Sequence, residues 1–136
     1  MKSTFIFLLT HGLWGQELLV STKMVIGEFQ DVLTFPLMPD TKLETYTNSI
    51  QDAMERLPGY DFLFLTDIPG GSPYNVSAAF LAKSGVEVVS GLSMNLLISA
   101  IELRTQYPCD QLSGQLVAHM LDAEAFIYNM KQFLED

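Results

Sequence analysis

Two short segments hold the residue types that could do chemistry. Thr10-His11-Gly12 follows the apolar run Phe5 to Leu9, and Thr66-Asp67-Ile68-Pro69-Gly70-Gly71-Ser72-Pro73 follows the apolar run Phe62 to Leu65. Histidine changes charge near neutral pH, so its imidazole can serve there as a nucleophile or a base. A carboxylate such as Asp67 can accept a hydrogen bond from one ring nitrogen, which fixes the tautomer and leaves the other lone pair free. It also stabilises the cation formed on attack. Gly70 and Gly71 allow backbone N–H groups to crowd around an anion. Ser72 suits a helix cap and Pro73 the first helical position, so the positive end of a helix would face that same anion. Thr10 adds a hydroxyl donor beside the histidine. Each feature has a plain reading too: Asp67 as a loop cap, the glycines as a turn, Ser72 as a cap alone.

For His11 and Asp67 to meet, strands must deliver both to one edge. Residues 4–9 form a continuous apolar run, the pattern of a strand covered on both faces, and the strand at 60–66 holds the shorter run Phe62 to Leu65. Residues 30–36 and 86–90 give two weaker strands. Between them the sequence predicts helices over 13–26, ended by Gly27, and over 41–57, opened by the capping box Thr41 to Glu44 and stopped at Pro58-Gly59. Further helices are predicted from Pro73 to about Lys83, closed by Gly85, over 94–104, and from Gln111 to Asp136. Strands alternating with helices imply an α/β fold: an open, mainly parallel four-stranded sheet with helices on both faces and a C-terminal helix. Ligands of such sheets bind outside the carboxyl ends of the strands, where strand order reverses. The loops after strands 1, 3 and 4 hold His11, Asp67 to Ser72, and Gly91 to Ser93.

Bulk composition narrows the function classes. The 136 residues suit one domain, residues 1–136, with a proper core, and 49% of them are hydrophobic. Sixteen acidic against seven basic residues give a net charge of −9, which argues against nucleic acid and leaves room for a basic protein partner. The lone Cys109 excludes an internal disulfide and fits a reducing compartment. No apolar run approaches the ~20 residues that span a bilayer, so a cytoplasmic protein is expected. Trp14, the one tryptophan, lies just past the histidine and suits a core position or a protein interface. His119 falls in a helical stretch and receives no role.

A neutral imidazole, a carboxylate and an anion cradle together suit phosphoryl transfer through a phosphohistidine. That transition state asks mainly for in-line positioning and charge compensation, which oriented N–H groups supply without a metal or other cofactor. A hydrolase triad of Ser72, His11 and Asp67 is disfavoured because no nucleophile-elbow pattern surrounds Ser72. A phospho-acceptor aspartate domain would need an acidic pair after strand 1, and a flavin module a Ser/Thr-rich loop there. A phosphate-sensing module without turnover is the bland alternative.

Phe7-Leu-Leu-Thr-His11-Gly, Leu65-Thr-Asp-Ile-Pro-Gly-Gly-Ser-Pro-Tyr-Asn75 and Val88-Val-Ser-Gly-Leu-Ser-Met-Asn-Leu-Leu97 resemble the IIA domain of mannose-family sugar phosphotransferase systems, in register over roughly residues 1 to 130. The resemblance implies a cytoplasmic phosphocarrier. His11 matches the phosphorylated histidine, Asp67 its orienting aspartate, and Ser72 with the glycines the phosphate loop. It implies HPr as donor, a cognate IIB domain as acceptor, membrane IIC and IID subunits downstream, and a homodimer. A phosphodonor for dihydroxyacetone kinase is the functional runner-up. Ser93 and Asn95 depart from the family pattern after strand 4. Some members exchange a C-terminal strand between subunits; the tail here reads as helix to Asp136, so that exchange is not assumed, and IIB is expected as a separate chain.

Overall fold

In the computed structural model, which describes residues 1–122 and 126–135, strands and helices alternate as the sequence pattern predicts. They run β1 (Ser3–His11), α1 (Trp14–Ile26), β2 (Val32–Leu37), α2 (Leu43–Glu55), β3 (Tyr60–Thr66), α3 (Ser72–Phe80), β4 (Val86–Ser90), α4 (Met94–Leu103), α5 (Cys109–Asp122) and α6 (Met130–Glu135). The sheet order is β2-β1-β3-β4 and every pairing is parallel. The chain leaves β1 toward β2 on one side and later returns to β3 on the other. The order therefore reverses between β1 and β3, and that is where a crevice must open.

Alternation along the strands supplies two cores. Phe5, Phe7 and Leu9 of β1 face the same way as Phe62 and Phe64 of β3, and α2 and α3 cover them with Tyr46, Ile50, Val76 and Phe80. Ile6, Leu8, Leu63, Leu65 and Val89 face the opposite side, beneath Leu96, Leu97, Leu112 and Leu116 of α4 and α5. Phe7 stacks on Phe64 with ring centroids 5.3 Å apart, at the centre of the sheet. Both strands are wholly buried there, each large apolar side chain contributing about 1.5–3 kcal/mol. The strand ends that carry His11 and Asp67 thus extend from the most deeply buried strands of the sheet.

The two sheet edges differ. Ile6 N–H donates to Asp31 C=O and Gly12 N–H to Leu37 C=O, so odd-numbered residues of β2 face β1 and Pro36 faces outward, where its missing N–H breaks no ladder bond. On the other edge Phe62 N–H donates to Gly85 C=O and Gly91 N–H to Thr66 C=O. Val86, Val88 and Ser90 therefore turn their backbone groups away from β3. Among the described residues nothing pairs with that edge.

Local details depart from the sequence expectations. β1 runs on through His11, which pairs in register with Leu37, rather than ending at Leu9. Thr41 does not form a capping box. Its N–H donates to Met38 C=O and its hydroxyl accepts from Met38 N–H, closing a turn, and Lys42 precedes α2 without a side-chain cap. α3 starts one residue early, with Gly71 at the cap and Ser72 inside the helix, and ends at Phe80 rather than Lys83. The tail is not one helix to the end: Phe126 to Asn129 are not helical, and α6 follows. Residues 123–125 and 136 of that expected helix lie outside the described residues. Among the described residues no helix is long and apolar enough to cross a membrane.

Candidate functional site

His11 and Asp67, 56 residues apart in the chain, meet at the carboxyl edge beside the β1–β3 switch point. One carboxylate oxygen, Oδ2, accepts twice from the same residue: from the His11 backbone N–H at 2.7 Å and from ring Nδ1 at 2.8 Å. The other oxygen, Oδ1, accepts from the Ile68 backbone N–H at 2.9 Å. With Nδ1–H donating to the carboxylate, the lone pair of the ring resides on Nε2. The Asp67 side chain is 7% exposed and that of His11 is 48% exposed, so the carboxylate is sheltered while the imidazole faces solvent. Burial pushes the Asp67 pKa up, but the hydrogen bonds from His11 and Ile68 and the charge of His11 outweigh it. The carboxyl is held below its ordinary range and stays ionised at neutral pH.

The glycine loop closes against the ring. Gly70 sits at φ 82, a left-handed conformation that turns the chain from β3 into α3. Gly71 has ordinary extended backbone but no room: a Cβ there would lie 2.7 Å from His11 Cε1 and 3.4 Å from Nε2. The Nε2 edge of the imidazole therefore faces the start of α3. Ser72 is the first helical residue, Pro73 has no N–H, and Asn75 N–H donates to Gly71 C=O at 2.9 Å, which leaves the amides of Ser72 and Tyr74 without intrahelical partners. A helix opening of this kind carries partial positive charge and suits a phosphoryl oxygen.

Thr10 is not brought to the ring. Its hydroxyl donates to the Gly12 carbonyl at 3.0 Å, its side chain is buried, and a Cβ on Gly15 would come within 3.0 Å of its methyl. It shapes the turn after β1 instead of offering a donor. Ser72 lies at the mouth of the loop without acting as a side-chain cap. The structure thus gathers His11, Asp67, Gly70, Gly71 and Ser72, and leaves Thr10 in support.

Sequence reasoning passed over Ile68, whose N–H completes the hold on Asp67 and whose exposed side chain stands beside Gly71. Its place inside the loop motif was the available signal. Leu13, Trp14, Ile68 and Tyr74 are all more than a third exposed, so the segments that follow His11 and Asp67 in the chain carry an apolar rim. Ser93 caps α4 by accepting from the Leu96 N–H at 3.0 Å, which gives its departure from the family pattern a local structural task. His119, left without a role, lies edge-on to Phe126, away from the site. Among the described residues no cluster of three or more His, Cys, Asp or Glu could hold a metal ion.

The chain is similar to known proteins along most of its length. The profile of the family described as PTS system fructose IIA component matches residues 5–119. The fructose-specific EIIA component of Bacillus subtilis is 28% identical over 110 residues, which span 79% of this chain and 75% of that protein. The sorbose-specific EIIA component of Lacticaseibacillus casei is 28% identical over 118 residues, 85% of this chain and 82% of the relative. Among solved structures, the mannose/sorbose-specific IIA subunit of Enterococcus faecalis superposes with a TM-score of 0.77 at 26% identity, covering 95% of this chain and 97% of the other.

Proposed function

Because the chain belongs to the mannose-type IIA family of sugar phosphotransferase systems, we propose that its work is to carry a phosphoryl group on His11 Nε2. The observation that carries this reading is the hold of Asp67 on Nδ1, which leaves Nε2 as the open nitrogen, half-exposed and edge-on to the start of α3. In the step, the Nε2 lone pair forms a bond to phosphorus as the bond from phosphorus to the donor's ring nitrogen breaks. That nitrogen leaves with its electron pair. The Nδ1 proton stays in place, and the positive charge that develops on the His11 ring lies 2.8 Å from an ionised carboxylate. First-turn amides of α3, with Ser72, receive the equatorial oxygens. Transfer onward is the same step reversed onto a different acceptor.

The donor in this reading is phospho-HPr and the acceptor a cognate IIB domain in the cytoplasm, with membrane IIC and IID subunits moving the sugar. Docking falls to the apolar rim of Leu13, Trp14, Ile68 and Tyr74, and the net charge of −9 favours partners with basic contact faces. A homodimer is supported by the unpaired edge of β4, with exposed Leu81 and Val117 beside it, and by a tail whose Ile127, Met130, Phe133 and Leu134 are exposed.

Incubation with phosphoenolpyruvate, enzyme I and HPr tests the carrier role. The expected product is an acid-labile, base-stable phosphoryl group that is lost in His11→Ala. Wild-type protein that takes up no phosphate under these conditions sinks the proposal.

A further inference from the structure

The start of α3 rests on the carboxyl ends of β3 and β4, and the floor there is unexpectedly polar. Thr66 ends β3, Ser90 ends β4, and the two are register partners. By the alternation that sends Phe64 and Val88 toward α2 and α3, both hydroxyls point to the same face. Thr66 Oγ1 and Ser90 Oγ are buried, and neither has a hydrogen-bond partner among the described residues. The carbonyl of Thr66 itself is already occupied: it accepts the N–H groups of Gly91 and Leu92, each at 3.0 Å. Ser77 of α3 is buried as well. Its hydroxyl donates to Tyr74 C=O at 2.6 Å, so the oxygen can still accept. Ser77 and Ser90 line one cleft of about 340 Å³, walled by Pro69 and Tyr74 at the loop end and by Leu81, Val88 and Val117 further along.

Buried hydroxyls seek partners, and two side by side with a third across a cleft can share one internal water making two to four bonds. We propose that Thr66, Ser90 and Ser77 hold one ordered water between the sheet and the second turn of α3, and that this seam sets where Gly71 and the helix opening stand against the His11 ring. The positioning half of the statement rests on the carrier reading above; the water itself does not. Thr66 is placed to do this because its side chain anchors the seam while its carbonyl fastens the β4–α4 loop, one residue before Asp67. It touches no phosphoryl oxygen and is a positioning residue.

A high-resolution crystal structure of the intact chain decides the first half. The expected result is a water within about 2.7–3.2 Å of both Thr66 Oγ1 and Ser90 Oγ. Hydroxyls bonded to each other or to backbone, or a group of a second copy in that place, overturns it. The second half is read from Thr66→Val, which keeps the shape and removes the hydroxyl, with Thr66→Ser as the rescue and Ser90→Ala as a second route to the same loss. Thr66→Val is expected to lower turnover of phosphoryl transfer roughly three- to tenfold at unchanged KM for the donor protein, with altered His11 ring resonances, and Thr66→Ser to restore both. A Thr66→Val protein that transfers at the wild-type rate refutes the positioning role. A wild type that accepts no phosphoryl group refutes the carrier reading instead, and the crystallographic result still judges the water.

Discussion

Gly71→Ala separates ring geometry from folding. The backbone at residue 71 has φ −82 and ψ 173, which alanine adopts without strain, so the substitution is neutral or slightly stabilising through the unfolded chain. The new methyl, however, would stand 2.7 Å from His11 Cε1 and 3.4 Å from Nε2. Ordinary carbon contacts begin near 3.5 Å, so the ring must retreat by about 1 Å. The half-exposed imidazole can do so only by swinging toward solvent, which stretches the 2.8 Å bond from Nδ1 to Asp67 and moves Nε2 off line with the helix opening. A displacement of that size costs about 10²-fold in a reaction governed by alignment. Rapid-quench measurement of phosphoryl transfer from phospho-HPr is expected to show a loss of that order, with the melting temperature within a few degrees of wild type. NMR of the ring nitrogens should show Nδ1 released from the carboxylate. Wild-type transfer rates in Gly71→Ala, with the Nδ1 bond intact, would refute the reasoning.

Other perturbations follow from the same geometry. Asp67→Asn leaves at least one of three N–H donors facing an amide NH₂ whichever way the amide turns, and transfer should fall about 10²-fold, measured by the same assay with the fold checked by circular dichroism. Because the Asp67 pKa is lowered in the folded protein, the stability it contributes is complete above the unfolded carboxylate value of about 3.9 and is lost as pH falls through the lower folded value. Urea titrations of Asp67→Asn and wild type should therefore differ at neutral pH and converge in acid. Trp14→Ala should raise KM for a protein donor by about 30-fold, as for removal of an interface anchor worth ~2 kcal/mol, with little change in kcat. Cys109 is fully buried, and burial, with the nearby Asp61 carboxylate adding to it, pushes its thiol up to about 12. It should resist Ellman's reagent in the native protein and react once in denaturant.

How the site could be foreseen from the residues has a physical reason. Phe5 to Leu9 and Phe62 to Leu65 are too apolar to be anything but central strands, and such strands deliver their next residues to one edge. His11 and Asp67 were thereby brought together before any coordinates. Gly70 and Gly71 were legible as a turn, but the reason for glycine at 71, the approach of the imidazole, lives in tertiary contact and leaves no mark on the local pattern. Thr10 was misplaced because strand alternation sends it to the opposite face from His11, where the Gly12 carbonyl takes its proton. The Thr41 capping box failed for a related reason: its residues match the pattern, but the turn from Met38 claims the hydroxyl. The tail pattern gave helix throughout, since apolar spacing alone does not register the break at Phe126 to Asn129.

The unlike flanks of the sheet carry a consequence for assembly. Pro36 withholds a donor on the β2 flank, while the β4 flank offers the backbone of Val86, Val88 and Ser90 uninterrupted. A border that lacks a donor takes on a further strand less readily than an intact one, so any pairing of this sheet with another strand favours the β4 side.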